Sequence, residues 1–259
     1  MILEAPGLAA LTGFRHAFFT REGGLSAGPF ASLNCGFASG DDPERVAANR
    51  ARAMARLGVP ASSLTTVRQV HGTTVLTVTA PGGASASTPA DALVSDREGI
   101  TLGVLCADCA PILLADPVAG VIGAAHAGWR GALNGVVEAT VAAMAGLGAR
   151  PGRIVAAVGP CIARRSYEVG PDMRAEFEAG DPAGLNLFTP AAGSDRLRFD
   201  LSAYVLRRLA RAGVVAGEAL ADDTLSAEAR FFSARRARTR GDGRFGLLLS
   251  AIARPGRSP

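Results

Sequence analysis

The 259-residue chain contains no lysine; all 27 of its basic residues are arginine. That excludes Schiff-base chemistry and the phosphate-binding lysine of a Walker-type loop. Histidine is nearly as scarce, with only His16, His71 and His126. A multicopper oxidase, with a blue-copper site and a trinuclear cluster, needs on the order of ten imidazoles. Aromatic residues make up 5% of the chain, too few for a nucleic-acid stacking platform. The arginines are scattered rather than striped, apart from a cluster at Arg230, Arg235, Arg236, Arg238 and Arg240. The net charge of +4 is therefore read as an anionic small-molecule site plus solvated surface, and no nucleic-acid partner is expected. There is no run of about 18 apolar residues, so no transmembrane helix and no membrane partner are expected. Met1–Leu11 lacks a basic region followed by a long apolar one, so no secretory signal is expected and the cytoplasm is the expected compartment.

Hydrophobic residues, at 48%, suffice for a sizeable core, in one large domain or two small ones. Cys35, Cys106, Cys109 and Cys161 read as thiols or ligands rather than as a disulfide framework. Residues 80–89 (APGGASASTP) read as a surface loop. A helix is predicted over 41–58, capped by Asp41 or Asp42 with Pro43 in its first turn and Gly58 at its end. Others are predicted over 129–147 and 199–212, the second capped by Asp200. Strands are predicted over 64–70, 73–78, 92–95, 100–105, 112–115, 121–125, 154–158 and 245–252. They cluster without strict βαβ alternation, which favours an α+β fold with mixed sheets.

Residues 106–130 (CADCAPILLADPVAGVIGAAHAGWR) carry the most chemistry. Asp116-Pro117-Val118-Ala119-Gly120 reads as a turn between two apolar runs, predicting a hairpin. A turn centred on Val118 pairs residues whose numbers sum to about 236. Cys109 and His126 sum to 235, so they are expected to lie nearly opposite each other, with Cys106 about three residues away. Facing Cys and His suit a shared metal or a thiolate–imidazole pair. The alternative is a buried hairpin with an inert cysteine. His71 in RQVHG would complete two imidazoles and one thiolate, the protein ligand count of a catalytic zinc site. The helix beginning after Gly128, with Arg130, is expected to form an anion site, and Arg21, Arg68, Arg235 and Arg236 could add charge.

These segments, together with HAFFTREGGLS from His16, SLNCG from Ser32, ADALVS from Ala90, GPCIARRSYEVG from Gly159 and FFSARR from Phe231, resemble the YfiH family. That family is also labelled laccase-domain, polyphenol oxidase or peptidoglycan editing factor proteins. The resemblance spans nearly the whole chain. It implies one YfiH-like catalytic domain over 1–259, built as four α/β/β/α-type layers, with one zinc. The implied metal ligands are His71, Cys109 and His126. The implied activity is phosphorolysis of adenosine, inosine and methylthioadenosine, with adenosine deamination at the same site. Purine nucleoside and phosphate would be the small-molecule partners. Arg21, Asn34, Arg68, Arg130 and Arg235 are the expected substrate- and phosphate-binding residues. Asp108 is the expected proton donor or acceptor, unless it caps the hairpin, and Glu168 is a second candidate. The chain departs from the commoner pattern at Cys106, where Thr is frequent, and at Asp223, where Cys is frequent. Two other readings use the same side chains. One is a cysteine hydrolase or amidase acting on peptidoglycan precursors, with Cys109 as nucleophile and His126 or His71 as base. The other is a non-catalytic metal- or partner-binding protein.

Overall fold

The computed structural model describes residues 2–82 and 87–256, so part of the surface loop expected at 80–89 lies outside the described residues. Two sheets carry the architecture. One has five strands in the order Ile2–Leu3, Arg15–Phe19, Leu248–Arg254, Ile100–Cys106, Leu64–Thr65. The other has six, in the order Ala216–Ala219, Val155–Val158, Ala110–Asp116, Val121–Ala127, Ala92–Ser95, Val75–Thr77. Both mix parallel and antiparallel pairs, as expected.

Period-two alternation in the central hairpin explains the layering. Leu113, Ala115, Ile122 and Ala124 face inward and pack with Phe18, Leu102, Val104 and Ile252 of the other sheet. Ile112, Leu114, Val121 and Ala125 face outward, beneath the helices Val136–Gly146 and Leu201–Arg211. On the far side, Met54 and Leu57 of the helix Pro43–Leu57 cover Phe19, Leu249 and Ala251. The result is the four-layer α/β/β/α arrangement, an α+β fold with mixed sheets. Pro43–Leu57 is capped by Asp42, whose carboxylate accepts from Glu44 N–H at 2.9 Å. Asp41 instead accepts from Ser26 and Asn34.

Two expectations change. The helix predicted over 129–147 is broken into Trp129–Asn134 and Val136–Gly146 by Gly135, whose φ of 105° ends the first piece. The break is fixed from outside: the buried Arg208 guanidinium donates to Leu133 O at 2.8 Å and pairs with Glu138. The strands predicted over 64–70 and 73–78 shrink to Leu64–Thr65 and Val75–Thr77, because between them the chain forms only an isolated bridge from Arg68 to Pro89 and its 70–72 turn is held by the Asp91 carboxylate.

His16, the histidine remote from the hairpin, is buried, and its Nε2 accepts from Ala5 N–H at 2.8 Å. Burial brings its pKa down to about 4. Because the folded value lies below the unfolded value of about 6.5, folding favours the neutral ring. Acidification from pH 6.5 to pH 4 is expected to remove up to about 3 kcal/mol of stability through this residue. Thermal melts across that range should show His16→Gln losing less than the parent; parallel losses would assign the acid sensitivity elsewhere.

Candidate metal centre

The hairpin forms as read, with its register shifted by one. Its turn holds four residues, 117–120, so it centres between Val118 and Ala119, and paired residues sum to 237. His126 therefore faces Pro111, and Cys109 lies two residues beyond, diagonal to His126. Pro111 stays in the ladder, its carbonyl accepting from Gly159 N–H at 2.8 Å. Cys109 reaches His126 because the chain turns at Asp108, whose φ is +92°.

The donor atoms of His71, Cys109 and His126 all lie within 4.8 Å of one another. Cys109 Sγ is 3.7 Å from His71 Nε2, and the two imidazole rings meet edge-on, 4.8 Å between centroids. Gly128 leaves the room: a Cβ there would stand 2.7 Å from His71 Cδ2 and 3.2 Å from Cys109 Sγ. Cys106 belongs to a different sheet, opposite Leu248, and burial pushes its thiol well above the ordinary value.

Asp91 organises the group, and sequence reasoning missed it. Its fully buried carboxylate accepts from Val70, His71 and Gly72 N–H at 3.1, 2.9 and 2.7 Å. It also accepts from His126 Nδ1 at 2.9 Å. The first three bonds hold His71 at φ +60°, a costly conformation for a non-glycine residue. The fourth fixes the His126 tautomer and turns Nε2 toward Cys109. Burial alone would raise Asp91, but His126 and the backbone donors outweigh it and hold the carboxyl below its usual range. Burial would likewise raise the Cys109 thiol, yet the His126 charge and the hydrogen bonds of both histidines bring it down to about 6. His126 is correspondingly raised, to about 9, against its own desolvation, by the Cys109 charge and by Asp91. The sequence signals for Asp91 are its place in the family-like segment ADALVS and its position directly before the apolar run Ala92-Leu93-Val94.

Two cavities adjoin the triad. One, of about 250 Å³, is lined by Asp108, Trp129, Arg130, Tyr167, Arg235 and Arg238, beside His71 and Cys109. The other, of about 360 Å³, is walled by Phe37, Val67, Leu105, Phe245 and Leu247 and touches all three donors. Arg50, Arg68 and Gln69 edge it, and Arg238 lines both cavities.

The expected substrate residues divide. Arg130, Arg235 and Arg68 line these cavities. Arg130 stacks 4.2 Å from the Trp129 ring, on a helix of only six residues rather than the long one expected. Arg235 donates to Glu168 O at 2.8 Å, while the Glu168 carboxylate faces Arg198. Asp108 is fully engaged, accepting from Thr224 Oγ1, Ser233 Oγ and Arg235 N–H at 2.7, 2.9 and 2.7 Å. Asn34 and Arg21 line neither cavity. Asn34 is buried, bonded to Ser39, Asp41 and the N–H groups of Gly36 and Leu247. Arg21 points into a third cavity. Asp223 takes Ala163 N–H, Ser166 and Ser226 and pairs with Arg165, tying two loops together.

Among the described residues, no helix is long and apolar enough to cross a membrane. The chain is 47% identical over 238 residues to a Streptomyces griseus protein named purine nucleoside phosphorylase, covering 90% of this chain and 94% of that one. A Deinococcus radiodurans protein of the same name is 45% identical over 256 residues, 99% of this chain and 94% of that one. Among solved structures, a Neisseria meningitidis protein of the DUF152 family superposes with a TM-score of 0.84 at 34% identity, over 99% of both chains. The hypothetical protein YfiH of Bacillus licheniformis superposes with a TM-score of 0.85 at 28% identity, over 93% of this chain and 92% of that one. Residues 15–254 match the family described as multi-copper polyphenol oxidoreductase laccase. Two imidazoles at the site, with His16 committed to Ala5 N–H, cannot furnish the copper set that description implies. With a family profile spanning most of its length and relatives at nearly half identity, the chain belongs to this laccase-domain, YfiH-type family.

Proposed function

We propose that the chain is a zinc-dependent purine nucleoside phosphorylase acting on adenosine, inosine and methylthioadenosine, with adenosine deaminase activity at the same site. The observation that carries this reading is the position of the His71–Cys109–His126 triad between a basic cavity and an apolar one. Phosphorolysis needs that division: an anion must be neutralised on one side of the ribose and a base held on the other. The names of the relatives support the same chemistry.

The donor types fit zinc, and one donor pair stands at zinc spacing. Tetrahedral zinc with Zn–N near 2.05 Å and Zn–S near 2.3 Å separates those donors by about 3.6 Å, against 3.7 Å between Cys109 Sγ and His71 Nε2. Thiolate and imidazole favour zinc over magnesium or calcium. Zinc held there supplies Lewis acidity toward a substrate oxygen or nitrogen. Arg130, Arg235 and Arg238 bind and orient phosphate. Phe37, Leu105, Phe245 and Leu247 hold the purine and exclude water, and Arg68 and Gln69 offer polar contacts at its edge. Asp108 acts chiefly as a positioning residue, since its oxygens fix Thr224, Ser233 and the start of the Ala234–Arg240 helix.

The test is base release from inosine with and without phosphate, alongside zinc content. Hypoxanthine should appear only with phosphate, and adenosine should yield some inosine without it. Arg130→Ala should raise the KM for phosphate about tenfold or more, the loss of one charge-assisted contact, and leave zinc content unchanged. Wild-type phosphate dependence in Arg130→Ala would move the phosphate seat to Arg235 and Arg238. One observation favours a second reading: a Cys109 thiol lowered to about 6 beside His126 also suits a cysteine hydrolase or amidase. In that case a metal-stripped protein keeps full activity and loses it on alkylation of Cys109.

A further inference from the structure

We infer that a second anion site, for a small ligand carrying one or two phosphate groups, lies across the Ala234–Arg240 helix from the metal triad. At about 100° per residue, that helix sends Arg235 and Arg238 toward the metal cavities and Arg236 and Arg240 to the opposite side. There they meet Arg21 and Arg244 around a cavity of about 160 Å³. Four guanidiniums line it against two carboxylates, Glu228 and Asp242, so two positive charges are uncompensated. The volume is below the roughly 300–1,000 Å³ of pockets for larger ligands, so a phosphate group fits the site and a nucleoside does not.

Two of the arginines are preset by neutral partners. Arg21 donates to Ala31 O at 2.6 Å and to Glu228 O at 3.3 Å, and lies 4.4 Å over the Phe232 ring. Arg236 donates to the carbonyls of Thr224, Leu225 and Phe231 at 2.9, 2.8 and 2.6 Å. Carbonyls fix a guanidinium without cancelling its charge, so little ordering cost remains for an incoming anion. Burial first, and then the facing charge of Arg236, hold Arg21 below its ordinary range, with the Glu228 carboxylate offsetting part of the effect. The Glu228 carboxylate already shows the recognition: it takes Arg240 in a two-pronged pair at 2.5 and 2.7 Å and stands 3.7 Å from Arg236 Nε. It is 47% exposed, so a phosphate of higher charge can displace it from the fork. This also accounts for Arg21 and Arg236, which the TREGGLS and FFSARR segments single out and which the metal cavities do not use.

Titration of the zinc-loaded protein with inorganic phosphate at low ionic strength, read by phosphorus NMR line broadening, tests the site. Two classes of binding are expected. Arg130→Ala weakens one by about tenfold or more; Arg240→Ala with Arg244→Ala weakens the other by about as much, and this double variant leaves zinc content and phosphorolysis unchanged. Glu228→Gln, which removes the competing carboxylate, should tighten that second class several-fold, a gain no merely structural role would produce. Binding unaltered in the double arginine variant, or not tightened by Glu228→Gln, overturns the inference. If the double variant fails to fold, Glu228→Gln decides alone. Absence of phosphorolysis would refute the proposed activity and leave this titration intact.

Discussion

Cys109→Ala is expected to abolish metal binding and turnover together, whereas Cys106→Ala should leave both within about twofold. The two thiols are three residues apart but chemically unlike. Cys109 stands 3.7 Å from His71 Nε2 with its thiol brought down to about 6, so much of it is thiolate at neutral pH. Cys106 lies on Ile100–Cys106 against Leu248, and burial keeps it protonated. Four-ligand zinc sites release about 10–16 kcal/mol in total, which makes one thiolate worth about 3 kcal/mol, or roughly two orders of magnitude in affinity. Elemental analysis after dialysis against a weak chelator reads the loss directly. Thiol alkylation gives the complementary result: Cys109 should be protected in the metal-loaded protein and become reactive after chelation, which stops turnover; added zinc should restore it only where Cys109 has not been alkylated. Equal metal loss in the two alanine variants would mean that Cys109 is not the ligand its geometry makes it.

What the sequence made legible follows how local each cause is. The nearness of Cys109 to His126 is readable because a short turn, Asp116–Gly120, brings the two strands together, although His126 pairs with Pro111 and the bend at Asp108 completes the approach. The same turn hid one residue of register: Asp116 Oδ1 accepts from both Val118 and Ala119 N–H, and that arrangement encloses four residues. The four layers were legible only through the family pattern, because 110–116 and 121–127 are near-continuous apolar runs buried along their whole length, and their sequence does not separate the two faces. The break at Gly135 was not, because the apolar pattern runs straight through it and the residue that stabilises it, Arg208, lies 75 positions from Leu133. The fate of Arg21 was equally hidden, since Arg21 bonds to carbonyls at Ala31 and Glu228. His71 could be named as a ligand from the scarcity of histidine and the family pattern. Its conformation could not, because a carboxylate just ahead of the strand Ala92–Ser95 imposes it. Parallel pairing of Val75–Thr77 with Ala92–Ser95 brings Asp91 beneath the 70–72 turn, and only in three dimensions do the two segments become one device.

That device makes Asp91→Asn the most damaging substitution outside the ligands themselves. The carboxylate accepts four hydrogen bonds and donates none. An amide in its place must turn an NH₂ group toward N–H donors. In one orientation it faces Val70 and Gly72; in the other, His71 and the His126 ring. Either way buried donors lose their acceptor, at about 1–3 kcal/mol each. Release of His71 from φ +60° and of the His126 tautomer should lower metal affinity about 10- to 100-fold, as loss of a ligand-orienting carboxylate does. Stability should respond to pH with a definite sign. Asp91 is held below its unfolded value of about 3.9, so its contribution is full above that pH and drains away as pH falls through the folded value. Asp91→Asn should therefore lower the melting temperature of the metal-free protein at pH 7 and flatten its decline below pH 4. Competition with a chelating dye then separates the two effects. A variant that melts like the parent and binds metal with parental affinity would show that the 70–72 turn and the His126 ring hold their positions without this carboxylate.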